Sequence, residues 1–140
     1  MNPDYVSTMP FSTLMGVAIT HAEADEIRGE LVVREDLCTL GNILHGGAIM
    51  AFADALGAIG GFLSLPEGAV GTTTVESKTN FLSAARQGST VYAVTTPVKR
   101  GKRMSVWQTE IIDDNQRKIA LVIQTRMALK VPVDKTVLSR

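Results

Sequence analysis

"LGNILHGGAIMAFADALGAIGG", residues 40–61, decides how the rest of the chain is read. One aspartate, Asp54, stands in a run that is otherwise apolar or tiny, and a carboxylate is expensive to bury without a partner. At about 100° per residue, Gly47, Met50, Ala51, Gly57, Ala58 and Gly61 share the aspartate's side of a helix, while Ile49, Phe52, Leu56, Ile59 and Leu63 take the opposite side. The large residues make a stripe for a core. The small ones let another backbone or a ligand come close, at a cost in helix stability. Asp54 is therefore expected to look into a narrow gap, neither solvent nor core. The pattern predicts one long helix over 46–63, stopped by Pro66 and Gly68. His45 and two glycines precede it, and a helix start offers free N–H groups and partial positive charge to a developing oxyanion. The plainer reading of Asp54 is structural, a carboxylate bound to backbone or to an arginine.

Spacing sharpens the functional reading. Gly46 and Asp54 are eight residues apart, or about 12 Å along a helix axis. One helix cannot bring both to a single small reacting carbon. Two antiparallel helices related by a two-fold axis can, each site using the helix start of one chain and the aspartate of the other. An enzyme built this way is an obligate dimer with two shared sites.

The 140 residues fit a single domain, 1–140. Lys+Arg and Asp+Glu both number 14, and this balance argues against a nucleic-acid binder. The one cysteine, Cys38, leaves no disulfide framework, so a cytoplasmic home is expected. "MNPDYVSTMPFSTLMG" lacks the pattern of a signal peptide. Residues 46–65 are as long as a membrane span, but a central charge is costly there and the neighbouring segments read as amphipathic strands.

Around the helix, "PFSTLMG" reads as a helical turn ending at Gly16, residues 17–22 and 27–33 as two short strands, and "REDLCTLGNIL" as a loop. Then come "VGTTTVESKTNFL", "STVYAVTTPVK", "RMSVWQTEIID" and "RKIALVIQTRMALKV", rich in the residues of strands. The last sets Ile119, Leu121, Ile123, Thr125, Met127 and Leu129 on one face. The turns "KRGKR" and "DDNQ" suit hairpins. Two strands, a helix and four strands give an α+β fold, an antiparallel sheet of about six strands wrapped over one central helix. One helix leaves half of such a sheet uncovered, and a partner subunit is the expected cover.

From Cys38 to Gly61 the chain resembles the hot-dog fold acyl-CoA thioesterases of the phenylacetate-degradation and 4-hydroxybenzoyl-CoA type. "LHGGA…AD" carries the likeness, and "ESKTNFLSAARQG", "VKRGKRMSVWQTEI" and "QTRMAL" extend it in order over about residues 11–130. The resemblance implies hydrolysis of an aromatic or medium-chain acyl-CoA by dimers, which in the family often pair into tetramers, with no cofactor, coenzyme A being part of the substrate. It implies that Asp54 is the nucleophile or general base, that Gly46 N–H polarises the thioester carbonyl, that His45 supports the loop, and that Thr74 stands near the attacking water or leaving group. Two positions depart from the pattern. Many relatives carry Gln or Asn where Thr39 stands, and they often carry Gly where Asn42 stands. Asn tolerates the left-handed backbone that glycine would supply, and Asn42 is a candidate to take over from Thr39.

Lys99, Arg100, Lys102 and Arg103 crowd the turn at Gly101, either as a solvated hairpin tip or as a grip on coenzyme A phosphates; Arg86 in "AARQG" is a weaker candidate. His21 reads as a surface residue. Two histidines with scattered acids make no metal constellation. A Cys38–His45 thiol–imidazole pair is conceivable, but a structural cysteine fits better. Met50, on the aspartate's face, could touch an acyl group. The alternative to an enzyme is a non-catalytic acyl-CoA binding module of the same fold. A hot-dog dehydratase would need a different histidine and acid pattern.

Overall fold

The computed structural model describes residues 4–130. A 3-10 turn at Val6–Thr8 leads into α1 (Pro10–Met15). Pro10 sits in its first turn, where no N–H is missed, and Gly16 closes it at φ 84° with its N–H on Ser12 and Thr13 carbonyls. Strands β1 (Ala18–Glu23) and β2 (Glu26–Val32) follow as a hairpin. The stretch expected as loop contains a 3-10 turn at Glu35–Leu37 and a miniature hairpin, β3 (Cys38–Thr39) and β4 (Ile43–Leu44). Then come α2 (Gly46–Leu63), β5 (Ala69–Phe81), β6 (Thr90–Arg100), β7 (Met104–Ile112) and β8 (Lys118–Lys130). The last expected strand ran to Val131, which lies outside the described residues, as do both ends of the expected 1–140 domain.

All neighbours in the six-stranded sheet run antiparallel, in the order β1-β2-β6-β7-β8-β5. The sheet curls around α2 in the hot-dog arrangement. Ile49, Phe52, Leu56 and Ile59 are buried, as their spacing predicts, and meet a core that includes Ile27, Leu31, Val91, Ile111 and Val122. Each large side chain buried there contributes about 1.5–3 kcal/mol. Close approach is purchased with glycine: a Cβ on Gly60 would lie 2.8 Å from the Trp107 ring, and one on Gly29 would lie 3.2 Å from Leu56. By length and composition α2 could cross a membrane, yet half of it is buried in the fold, as a core helix is.

The period-two pattern of β8 holds, but its apolar set does not define the inner face. The side chains that turn toward α2 include Ala120, Val122, Gln124 and Arg126, all buried. Leu121, Ile123 and Thr125 are only half-buried on the far side, and Met127 and Leu129 are exposed there. Ile119 is buried too, next to a register shift between Ile111 and Ile112. Two polar residues thus occupy the inner face because polar partners await them there. Strand β5 forms one edge of the sheet, and its outer side pairs with no strand among the described residues. It is 13 residues long, with a register shift at Val75, which is exposed.

Candidate active site

Two clusters of polar groups lie along α2. The first is at its N-terminus. His45 is the N-cap, its Nδ1 accepting from Gly47 N–H at 2.7 Å. That bond leaves the neutral ring with its proton on Nε2. Ala48 and Ile49 N–H donate to the His45 carbonyl. Gly46 N–H has no hydrogen-bond partner among the described residues. It is the one donor of the helix start left free, at the positive end of an 18-residue helix. A Cβ on Gly47 would collide with the His45 ring at 2.9 Å, whereas one on Gly46 would meet the ring of the exposed Phe81 at 3.2 Å, a contact that a small shift of that ring relieves.

Gly46 opens on a cleft of about 380 Å³ shared with Thr39, Ile43, Ile49, Phe81 and Ala85. Thr39 reaches this cleft and Asn42 does not line it. Asn42 instead supplies the left-handed turn, at φ 59°, and its carbonyl accepts from Gln87 N–H at 2.9 Å. On the other side of the helix start, a second cavity of about 470 Å³ has walls from Phe11, Leu14, Met15, Leu37 and His45. Cys38 also lines it, but its thiol donates to the Arg34 carbonyl while His45 Nδ1 serves Gly47, so the two form no pair.

The second cluster is at mid-helix. Asp54 Oδ1 accepts from the Thr74 hydroxyl at 2.6 Å. Arg126, only 4% exposed at its side chain, approaches the same oxygen at 3.5 Å. Asp54 does therefore meet an arginine, as its structural reading supposed. The pair is open, however. The Asp54 side chain is 49% exposed, and Oδ2 enters none of the hydrogen bonds among the described residues. Burial pulls the Arg126 guanidinium below its usual range, and the charge of Asp54 opposes that pull. Arg126 Nη1 also donates to Thr74 Oγ1 at 2.6 Å and to Gln124 Oε1 at 2.9 Å, and Gln124 Nε2 donates to the Ala53 carbonyl at 3.0 Å. The small residues of α2 make room for this network: a Cβ on Gly57 would overlap the Gln124 amide at 2.1 Å. Part of the small-residue stripe thus faces side chains of β8, while Asp54, Met50 and Ala58 keep the partly open side.

Sequence reasoning missed Gln124 and Arg126. The available signal was two polar residues at i and i+2 on a strand opposite glycines four apart on a helix. The structure brings Thr74 to Asp54 but leaves His45, Gly46 and Thr39 at the other cluster of the same chain.

The basic residues divide. Arg100 is engaged in the fold, donating to Asp25 at 2.5 Å, to the Ala24 carbonyl and to Ser64 Oγ at the end of α2. Lys102 and Arg103 line a cavity of about 360 Å³ with Glu67 and Lys130, and Lys99 is exposed beside them. Arg86 borders a cavity of about 340 Å³ with Arg117, whose Nη2 donates to the Ala84 carbonyl beside the Gly46 cleft. Asp113 faces the same cavity, and N–H bonds from Arg117 and Asn115 hold its carboxyl below the usual range despite partial desolvation. His21 lies on the surface near Glu23 and Glu26.

A six-stranded antiparallel sheet wrapped about one long helix, which carries a half-open carboxylate and a free helix-start amide, is the architecture of a hot-dog domain. The sequence pattern of the thioesterase superfamily matches residues 41–120. The Mycobacterium tuberculosis protein Rv1847, named as an esterase, is 30% identical over 115 residues, covering 81% of each chain. Its solved structure superposes with a TM-score of 0.83 at 27% identity, covering 89% of this chain and 99% of that one. The 1,4-dihydroxy-2-naphthoyl-CoA hydrolase of Escherichia coli K12 is 37% identical over 75 residues, 54% of each chain. The structure of the Haemophilus influenzae thioesterase HI1161 aligns with a TM-score of 0.79 at 25% identity, over 88% of this chain and 84% of that one. This chain belongs to the thioesterase superfamily and is a thioester hydrolase of the hot-dog fold.

Proposed function

We propose that the protein hydrolyses acyl-CoA thioesters in sites shared by two copies of the chain. One observation carries this reading: Asp54, its side chain half exposed, keeps one oxygen outside every hydrogen bond among the described residues, while the helix-start amide that is unclaimed among those residues is eight positions away on the same helix. With a second α2 antiparallel to the first, the separation of about 12 Å vanishes, and Gly46 of one chain meets Asp54 of the other. The free 13-residue edge of β5 and the exposed Val70 and Val75 on it support a partner on that side.

In such a site the thioester carbonyl accepts from Gly46 N–H, which strengthens as charge develops on oxygen. Asp54 Oδ2 then acts in one of two ways. As a base it takes a proton from water, and the hydroxide adds to the carbonyl carbon. As a nucleophile it adds to that carbon itself, and water later cleaves the mixed anhydride. In both, the C–S bond breaks and the thiolate of coenzyme A leaves and takes a proton. Water is the only co-reactant. The same antiparallel placement sends the partner's basic turn about 13 Å beyond the Gly46 amide, on the side where the phosphates of the bound coenzyme A would extend, with Arg86 of the first chain also at hand. Apolar walls at both cavities of the helix start suit an aromatic or medium-chain acyl group, and the naphthoyl-CoA name of the Escherichia coli relative favours the aromatic choice. Action on acyl-CoA, together with a single cysteine that leaves no disulfide framework, favours a cytoplasmic setting.

Thiol release from a panel of acyl-CoAs tests the reading. Wild type is expected to release thiol, and Asp54→Asn to lose about 10³-fold or more in turnover with unchanged folding; near-normal turnover by that variant refutes the role. A second reading, binding without cleavage, draws on Thr39, whose short hydroxyl lines the Gly46 cleft where relatives carry a longer amide. It predicts saturable acyl-CoA binding without free thiol.

A further inference from the structure

We infer that Arg126 is a positioning residue for Asp54, acting through Thr74, and that Asp54 Oδ2 is the working oxygen of the carboxylate. This rests on the proposal that Asp54 is the reactive group. A guanidinium can only donate. Arg126 Nη1 carries two hydrogens, and its contacts at 2.6 Å to Thr74 Oγ1 and 2.9 Å to Gln124 Oε1 take both. The 3.5 Å approach to Asp54 is then a charge contact, beyond the usual hydrogen-bond range. Thr74 Oγ1 accepts from Arg126, so its own hydrogen goes to Asp54 Oδ1 at 2.6 Å.

Every bond in the chain therefore has one direction. Arg126 donates to Thr74, and Thr74 donates to Asp54. Gln124, its oxygen held by Arg126, must present its NH₂ to the Ala53 carbonyl, one residue before Asp54. Strand β8 thus grips both the backbone and the carboxylate of the helix at one point. Oδ1 is fixed, and Oδ2 alone remains to meet water or the thioester. Thr74 has no hydrogen left for a water or a leaving group. It is a strut between a buried cation and the carboxylate, a different role from the one its place in the family pattern implies. A Cβ on Gly61 would lie 3.0 Å from Thr72 Oγ1 and 3.2 Å from Arg126 Nε, as one on Gly57 would overlap Gln124; the glycines of α2 are the clearance this network needs.

The test compares Thr74→Val, Thr74→Ser, Arg126→Met, the Thr74→Val/Arg126→Met double variant and Asp54→Asn, assayed by thiol release from benzoyl-CoA and hexanoyl-CoA. Folding is followed by circular dichroism. Thr74→Val leaves Arg126 in place and keeps the shape of the side chain, so it is informative even if Arg126→Met folds poorly. The expected result is a loss of about 100-fold in kcat for each single variant, the scale of a small misplacement of a reacting group. KM stays within about threefold, because substrate contacts in the ground state are untouched. Thr74→Ser, which keeps the hydroxyl, recovers most of the loss. The double variant loses about the same 100-fold, not the product, because both changes cut one link. Wild-type kcat in Thr74→Val, a Ser variant as poor as the Val variant, or losses that multiply in the double variant overturn the inference. If Asp54→Asn is inactive and Thr74→Val is not, only this inference falls; if Asp54→Asn is active, the hydrolytic role of Asp54 falls first.

Discussion

Asp54 shows how a single residue reconciles two demands. Full burial of an unpaired carboxylate in an apolar helix would cost several kcal/mol, and full pairing would silence it. The structure does neither: one oxygen is tied to Thr74 near a buried arginine and the other is left open. At the helix start, His45 meets a comparable demand. Its ring takes up Gly47 N–H and so leaves Gly46 N–H as the free donor. Replacing His45 with alanine removes an N-cap contact, expected to cost about 1 kcal/mol and to lower Tm by about 2–4 °C. The free Gly47 amide then gives water or substrate a second place to bind, so turnover is expected to fall with it. Asn, a strong N-cap residue, is expected to restore the melting temperature in a thermal unfolding series of His45→Ala and His45→Asn. Equal melting of the alanine variant and wild type would show that the cap carries no stability.

At the scale of elements, α2 is the piece whose two faces answer to different partners. Gly57 tests this. By propensity alone, Ala in place of a mid-helix glycine stabilises by about 1 kcal/mol. Here its Cβ would overlap the Gln124 amide at 2.1 Å, and overpacking of that kind costs about 1–3 kcal/mol besides displacing the residues that hold Asp54. Gly57→Ala is therefore expected to melt lower than wild type and to lose turnover, both measured on the same preparation; a variant more stable and fully active would mean the network yields without consequence. The helix itself was legible from residues 46–63, because its large side chains fall on one 3.6-residue stripe and His45, Pro66 and Gly68 bracket it. Six antiparallel strands around it were legible too, from alternation and turn residues. The inner face of β8 was not. A strand with apolar residues on odd positions reads the same whichever face meets the helix, and only the partners waiting on α2 and β5 turn Gln124 and Arg126 inward. The candidate site was legible where one segment contains it, as in His45, Gly46 and Asp54. It was not legible where β8 supplies the support.

At the scale of the whole molecule, one chain carries its free amide and its half-open carboxylate at two separate places along α2. Helix α2, with 18 residues, is about 27 Å long, and its free amide, its carboxylate and the basic turn beside Ser64 are strung along it rather than gathered. A site that needs all three can be assembled only between chains. The far side of the sheet, with Val98, Met127 and Leu129 exposed, is a further surface on which dimers could pair. Complementation tests the first assembly directly. Asp54→Asn chains lack the carboxylate, and Gly46→Pro chains lack the amide hydrogen at a helix position that tolerates proline. Each homodimer is expected to be inactive. In a mixed dimer, one of the two sites combines the intact Gly46 of the first chain with the intact Asp54 of the second, while the other site carries both defects. Verified heterodimers, separated by two affinity tags, should thus regain about half of the wild-type activity per dimer, since one of two equivalent sites is whole. Heterodimers that form and stay silent would mean that amide and carboxylate do not meet across the interface, and the eight-residue separation along α2 would then need a different explanation.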